Sequence, residues 1–144
     1  MILNCLSLSA IAILSSIFVI GGMTILSAQT RIEDLLLPGM EKGIQGDYQG
    51  AIAEFTAVIR RYPNQPEAYY NRGIARAKIG DRKGALADYN QAVRLNPNFA
   101  EAYSERGLLY GELGDEQAAI ADWQKAAKLF WHQKRSEEHT SELQ

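Results

Sequence analysis

Residues 68–98 read "AYYNRGIARAKIGDRKGALADYNQAVRLNPN", and the spacing within this stretch decides the fold. Tyr69, Gly73 and Ala77 recur at i, i+4 and i+8, the one-sided spacing of a helix. Gly80 breaks that helix, because glycine adopts the left-handed conformation that closes a helix C-terminus, and Asp81 caps the next one. The second helix places Ala85, Tyr89 and Ala92 on its inner face and stops at Pro97. The stretch therefore predicts a helix hairpin.

The same hairpin is written three times at an offset of 34 residues. Gly39, Gly73 and Gly107 align, as do Gly46, Gly80 and Gly114. Asp47, Asp81 and Asp115 follow, then Ala51, Ala85 and Ala119. Phe55, Tyr89 and Trp123 share an aromatic position, while Pro63 and Pro97 align with Trp131. Packing accounts for these residue types. Gly73 and Ala85 are small where two helices cross closely, and Tyr89 fills the space beside them. One such pair cannot bury its apolar face alone, so stability comes from stacking on neighbours.

On these residues the chain resembles the tetratricopeptide repeat family in its commonest bacterial form, with repeats at 32–65, 66–99 and 100–133. Units two and three match well and unit one is degenerate. The resemblance implies an all-α, right-handed α-solenoid of antiparallel helix pairs, preceded here by an N-terminal hydrophobic helix. It further implies a concave groove, lined by the first helix of each pair, that holds a partner protein or peptide. Two departures stand out. Pro38 occupies a position usually large and apolar, which predicts a first helix that is kinked or begins near Pro38. Unit three lacks the terminal proline and reads "KLFWHQK", which predicts that its second helix runs on and exposes Leu129, Phe130 and Trp131.

Both ends differ from the repeats. Residues 1–30 carry no Asp, Glu, Lys or Arg, and their apolar body at 5–26 reaches the ~20 residues that cross a bilayer. They read as a signal peptide or an N-terminal membrane anchor, so the expected location is exported (periplasmic or extracytoplasmic) or membrane-anchored. Residues 135–144, "RSEEHTSELQ", resemble the in-frame translation of a widely used sequencing-adapter oligonucleotide. They are read as adapter-derived and not native, which removes Glu137, Glu138 and His139 from consideration.

The middle of the chain points away from chemistry. From Arg31 to Lys134 it carries 14 basic residues, the chain's 15 less Arg135, and 14 acidic ones, the chain's 17 less Glu137, Glu138 and Glu142. A neutral balance offers no attraction for nucleic acid. His132 and Cys5 are too few and too far apart for a metal cluster or a nucleophile–base pair, so no enzyme activity, catalytic residue, metal or cofactor is expected. Arg72 and Arg106 each precede an aspartate, Asp88 or Asp122, by 16 residues, which predicts an ion pair across each hairpin. As a half-exposed pair it would contribute about 0–1 kcal/mol.

By the resemblance, the groove takes Leu36, Leu37 and Met40 from unit one. Glu67, Tyr70, Asn71, Ile74 and Lys78 come from unit two, and Glu101, Ser104, Glu105, Leu108 and Glu112 from unit three. One subset of the family clamps a C-terminal carboxylate with basic and amide residues. Those places hold Leu36, Met40, Glu101 and Glu105 here, and only Asn71 agrees, so such a clamp is disfavoured. An aromatic–apolar floor with an acidic end suits a segment carrying basic and apolar residues. The expected function is a non-catalytic scaffold or adaptor for a protein or peptide partner. The membrane is a further partner through residues 5–26 if the leader is uncleaved. The alternative is a homo-oligomer stacking through its apolar solenoid ends.

Overall fold

The computed structural model describes residues 31–141, with side chains described through Ser136. The leader at 1–30 and the side chains of Glu137, Glu138 and His139 lie outside the described residues. The chain divides into two units, Met1–Leu35 and Leu36–Gln144. Only the opening turn of the first helix is described in the former. Among the described residues, no helix is long and apolar enough to cross a membrane.

Among the described residues, six helices follow one another: α1 (Ile32–Ile44), α2 (Tyr48–Arg61), α3 (Pro66–Lys78), α4 (Arg82–Leu95), α5 (Ala100–Glu112) and α6 (Glu116–Ser141). They form three hairpins, α1–α2, α3–α4 and α5–α6, and each later hairpin packs against the one before it. The turn inside each hairpin follows the sequence signal. Gly46, Gly80 and Gly114 sit at φ of 81°, 81° and 83°. In the central turn the Asp81 amide donates back to the Arg76 carbonyl at 2.9 Å, which closes α3 and satisfies one of its last carbonyls. The Asp81 carboxylate then accepts from the Gly84 amide at 2.9 Å, capping α4. Asp47 and Asp115 do the same for α2 and α6.

The close crossings are equally regular. A Cβ built on Gly39 would meet the Phe55 ring at 2.5 Å, and one on Gly73 would meet the Tyr89 ring at 2.6 Å. At Gly107 the nearest atom would be in the Trp123 ring, at 2.8 Å. Each aromatic ring therefore lies in the space a missing side chain leaves. Between hairpins, Ala85 and Tyr89 of α4 pack with Leu109 of α5, while Ala92 and Val93 pack with Ala102. There is thus no central core but a series of interfaces, each made by neighbours.

One detail differs from the sequence expectation and one agrees with it. α1 neither starts at Pro38 nor is interrupted by it, and runs continuously from Ile32 to Ile44 with the proline inside. The six residues before Pro38 begin the helix, and the lost amide bond is tolerated in its second turn. α6 runs 26 residues, nearly twice the length of α4. No proline stops it at Trp131, and the helix carries on through the adapter-like segment as far as Ser141.

Candidate functional site

Two features draw on α3, the first helix of the central hairpin: an apolar half and an acidic half of the candidate site. The apolar half is an open cavity of about 280 Å³ where α1, α2 and α3 meet. Met40, Gly43 and Ile44 line it from α1, Tyr48 and Phe55 from α2, and Asn71, Ile74 and Lys78 from α3. Helical spacing brings Asn71, Ile74 and Lys78 to one stripe. Asn71 Nδ2 donates to the Glu67 carbonyl at 2.8 Å, which holds the amide along α3 with its oxygen left to accept. Lys78 stands exposed at the rim.

The acidic half lies where α3 meets α5. Tyr70 packs on Phe99, with ring centroids 4.9 Å apart, and on Tyr89 at 6.2 Å. Burial, and then the charges of Glu105 and Glu101, push its phenol up to about 12. Both carboxylates therefore act on the same hydroxyl, and an arriving cation would feel both. Tyr89, deeper in the interface, is pushed up further, by burial first and then by Glu105. Glu101 also borders a second hollow of about 570 Å³, shared with Phe99, Leu129 and His132.

Of the residues named from sequence, Met40, Asn71, Ile74 and Lys78 come together around the cavity, and Tyr70, Glu101 and Glu105 form the acidic half. Ser104 is half-buried, and Leu108 is exposed on the same helix. Glu112 accepts from Arg82 Nε at 3.3 Å, so its charge is already engaged by α4. Leu36 is a core residue, 4% exposed, and does not face the channel as expected. Leu37, its neighbour, is exposed instead. The sequence reading missed Ile44, Tyr48 and Phe55 as cavity walls. Ile44 carried a usable signal, lying one turn after Met40 on the same face.

The predicted ion pairs are present and more buried than expected. Arg72 Nε and Nη2 donate to the two Asp88 oxygens at 2.9 and 2.7 Å. Arg76 Nη1 joins the same carboxylate at 2.8 Å. Arg106 repeats the two-point contact on Asp122, with both distances 2.7 Å. Those hydrogen bonds raise the Arg106 guanidinium above its ordinary value. These arginines face inward between hairpins and are occupied, so they hold the scaffold rather than a ligand.

Comparison with known proteins identifies the repeat. Residues 44–80 and 76–114 match a sequence profile described as TPR repeat, and residues 100–130 match one described as tetratricopeptide repeat. Among solved structures, the first TPR of Spaghetti (RPAP3) bound to the HSP90 peptide SRMEEVD is 30% identical, with a TM-score of 0.64 over 66% of this chain and 75% of that one. The TPR2B domain of yeast Sti1, in a complex with pHsp70, is 29% identical, with a TM-score of 0.65 over 67% and 78%. MamA is 28% identical, with a TM-score of 0.64 over 74% of this chain and 63% of its own. A search of curated proteins returned no significant match.

Proposed function

Because the chain belongs to the tetratricopeptide repeat family, we propose that it is a non-catalytic adaptor whose channel holds an extended partner segment carrying apolar and basic residues. The observation that carries this reading is that α3 contributes both to an open apolar cavity and to the Tyr70–Glu101–Glu105 cluster. An apolar side chain fills the cavity against Met40, Ile44 and Phe55. A lysine or arginine of the same segment lies over the Tyr70 ring and against the two carboxylates.

The charge is opposite to that needed for the peptide in the Spaghetti complex. SRMEEVD is acidic, and Glu101 and Glu105 would repel it. Asn71 and Lys78 alone would favour its carboxylates, and both sit on the apolar half. Fluorescence anisotropy with a labelled heptapeptide of alternating lysine and leucine tests this. It is expected to bind at least ~10-fold more tightly than labelled SRMEEVD, a difference of about 1.4 kcal/mol. Glu101→Lys with Glu105→Lys should reverse the order. Equal binding of both peptides would refute the basic-segment reading.

The uncharged run at 1–30 supports an exported or membrane-anchored location for this adaptor. Carbonate extraction of expressing cells separates the two forms. An anchored chain stays in the pellet at full length, whereas a cleaved one is released about 30 residues shorter. A full-length chain found only in the cytosolic fraction would overturn both.

A further inference from the structure

The second helix of each hairpin carries a charge pattern that the candidate site does not use. From Phe55 to Pro66, from Tyr89 to Ala100 and from Trp123 to Lys134 the chain has no Asp or Glu. The same stretches hold Arg60 and Arg61, then Arg94, then Lys125, Lys128 and Lys134. Arg60, Arg94 and Lys128 are successively 34 residues apart, so the repeat sets them in one row across α2, α4 and α6. All three are exposed, and Arg60 and Arg94 stay so with a following hairpin in place. Arg94 Nε donates to Gln91 Oε1 at 3.0 Å, and Arg61 lies over the Tyr62 ring. Among the described residues, Arg60 and Lys128 have no ion-pair partner.

The row lies at one end of the repeats. α1 runs towards the Gly46 turn and α2 returns from it, and the later hairpins do the same. Arg60, Arg94 and Lys128 therefore stand at the end where α1, α3 and α5 begin. A cation in the last turn of a helix is favoured by the helix dipole, which accounts in part for Arg60, Arg61 and Arg94. It does not account for Lys125 and Lys128, because α6 runs on to Ser141. The carboxylates at this end, Glu33, Asp34, Glu67 and Glu101, stand on the first helices. At the opposite end, by contrast, Lys42 meets Asp47 at 3.6 Å and Arg82 meets Glu112 at 3.3 Å.

We propose that this row docks the repeats on the anionic lipid headgroups of a membrane that holds residues 5–26. The inference rests on the anchored form of the chain proposed above. Five residues, 27–31, separate the apolar body from α1, and fully extended they reach at most roughly 17 Å. That tether keeps the end where α1 begins close to the headgroups, and the row is at that end. The attraction of an anionic leaflet fades over ~8–10 Å at physiological salt, so a short tether is what makes it count. Each cation at the surface then strengthens attachment roughly 5-fold. Docking through the second helices leaves Tyr70, Glu101 and Glu105, on the first helices, to a protein partner. Residues 31–134 are neutral overall, and nothing tethers a nucleic acid to this end.

The test uses the full chain in lipid nanodiscs of phosphatidylcholine, alone or with about one third phosphatidylglycerol. Lysine acetylation, read by mass spectrometry, is expected to slow at least ~3-fold at Lys125 and Lys128 in the anionic discs. Lys83, at the opposite end, should react equally in both. The protection should disappear in ~0.5 M salt, where screening is strong. Arg60→Gln with Arg94→Gln should weaken it, and Arg60→Glu with Arg94→Glu should remove it, with helicity and co-elution with the discs unchanged. Equal labelling of Lys125 and Lys128 in the two kinds of disc overturns the proposal, as does protection that survives the double glutamate variant. A chain that elutes apart from both discs refutes the anchored location itself, and the docking with it. Stronger protection of Lys128 by a DNA duplex than by the anionic disc assigns the row to nucleic acid and overturns the lipid reading.

Discussion

Arg72 and Asp88 meet across α3 and α4 in a two-point ion pair, 2.9 and 2.7 Å long, with the aspartate only 3% exposed. An aspartate so buried depends on its cations, and Arg76 supplies a second. Asp88→Ala should destabilise the chain by about 3–5 kcal/mol, because two guanidinium groups would lose their partner in a half-buried site. Urea unfolding followed by circular dichroism measures this. A loss below ~1 kcal/mol would place the pair among weak surface contacts.

The glycines divide into two kinds, and alanine scanning should separate them. Gly73→Ala sets a Cβ 2.6 Å from the Tyr89 ring, so the hairpin must open. It should cost about 1–3 kcal/mol despite alanine's better helix propensity. Gly43→Ala meets nothing within 4 Å and should stabilise α1 by up to about 1 kcal/mol. Thermal melts of the two variants should therefore move in opposite directions.

Gly43 also offers a way to close the channel without damaging the fold. Gly43→Leu extends into the cavity of about 280 Å³ beside Met40 and Ile44. The lysine–leucine heptapeptide should then lose at least ~10-fold in affinity while helicity holds. Unchanged anisotropy would show that the apolar half takes no part in binding.

Tyrosine ionisation should report the acidic half. Of the 7 tyrosines, Tyr70 and Tyr89 should ionise last in an ultraviolet titration. Tyr70 rises from 10.0 to about 12 because burial, and then Glu105 and Glu101, disfavour the phenolate. A raised folded value means the native state holds this proton longer than the unfolded chain. Its stabilisation is complete below about pH 10 and lost as pH climbs towards 12. Glu105→Gln should bring the Tyr70 transition down, and Tyr70→Phe should remove it.

Legibility differed between scaffold and site. Gly80, Asp81 and Pro97 announced the turns because their backbone demands are local and survive in any surroundings. Gly73 and Tyr89 were legible as a packed pair because the repeat displayed them three times. Leu36 was misplaced, and the engagement of Glu112 went unseen, for the opposite reason. Whether a helical residue faces the channel, the core or a cation depends on its neighbours, and Arg82, which engages Glu112, lies 30 residues away.

The sequence by itself determined the hairpin, its period and its helix boundaries at the turns, since spacing, capping and left-handed glycine are properties of a few adjacent residues. It also determined that Arg72 and Asp88 would meet, because a hairpin of known length brings them together. Tertiary structure alone decided that α1 continues through Pro38 and that the cavity draws on Ile44, Tyr48 and Phe55. It also decided that Arg72 and Arg106 reach on to Thr56 and Asn90 in the hairpin before. Those outcomes depend on how one hairpin sits on another, where side chains far apart in the chain share space and the cost of burying each is set by what the other offers.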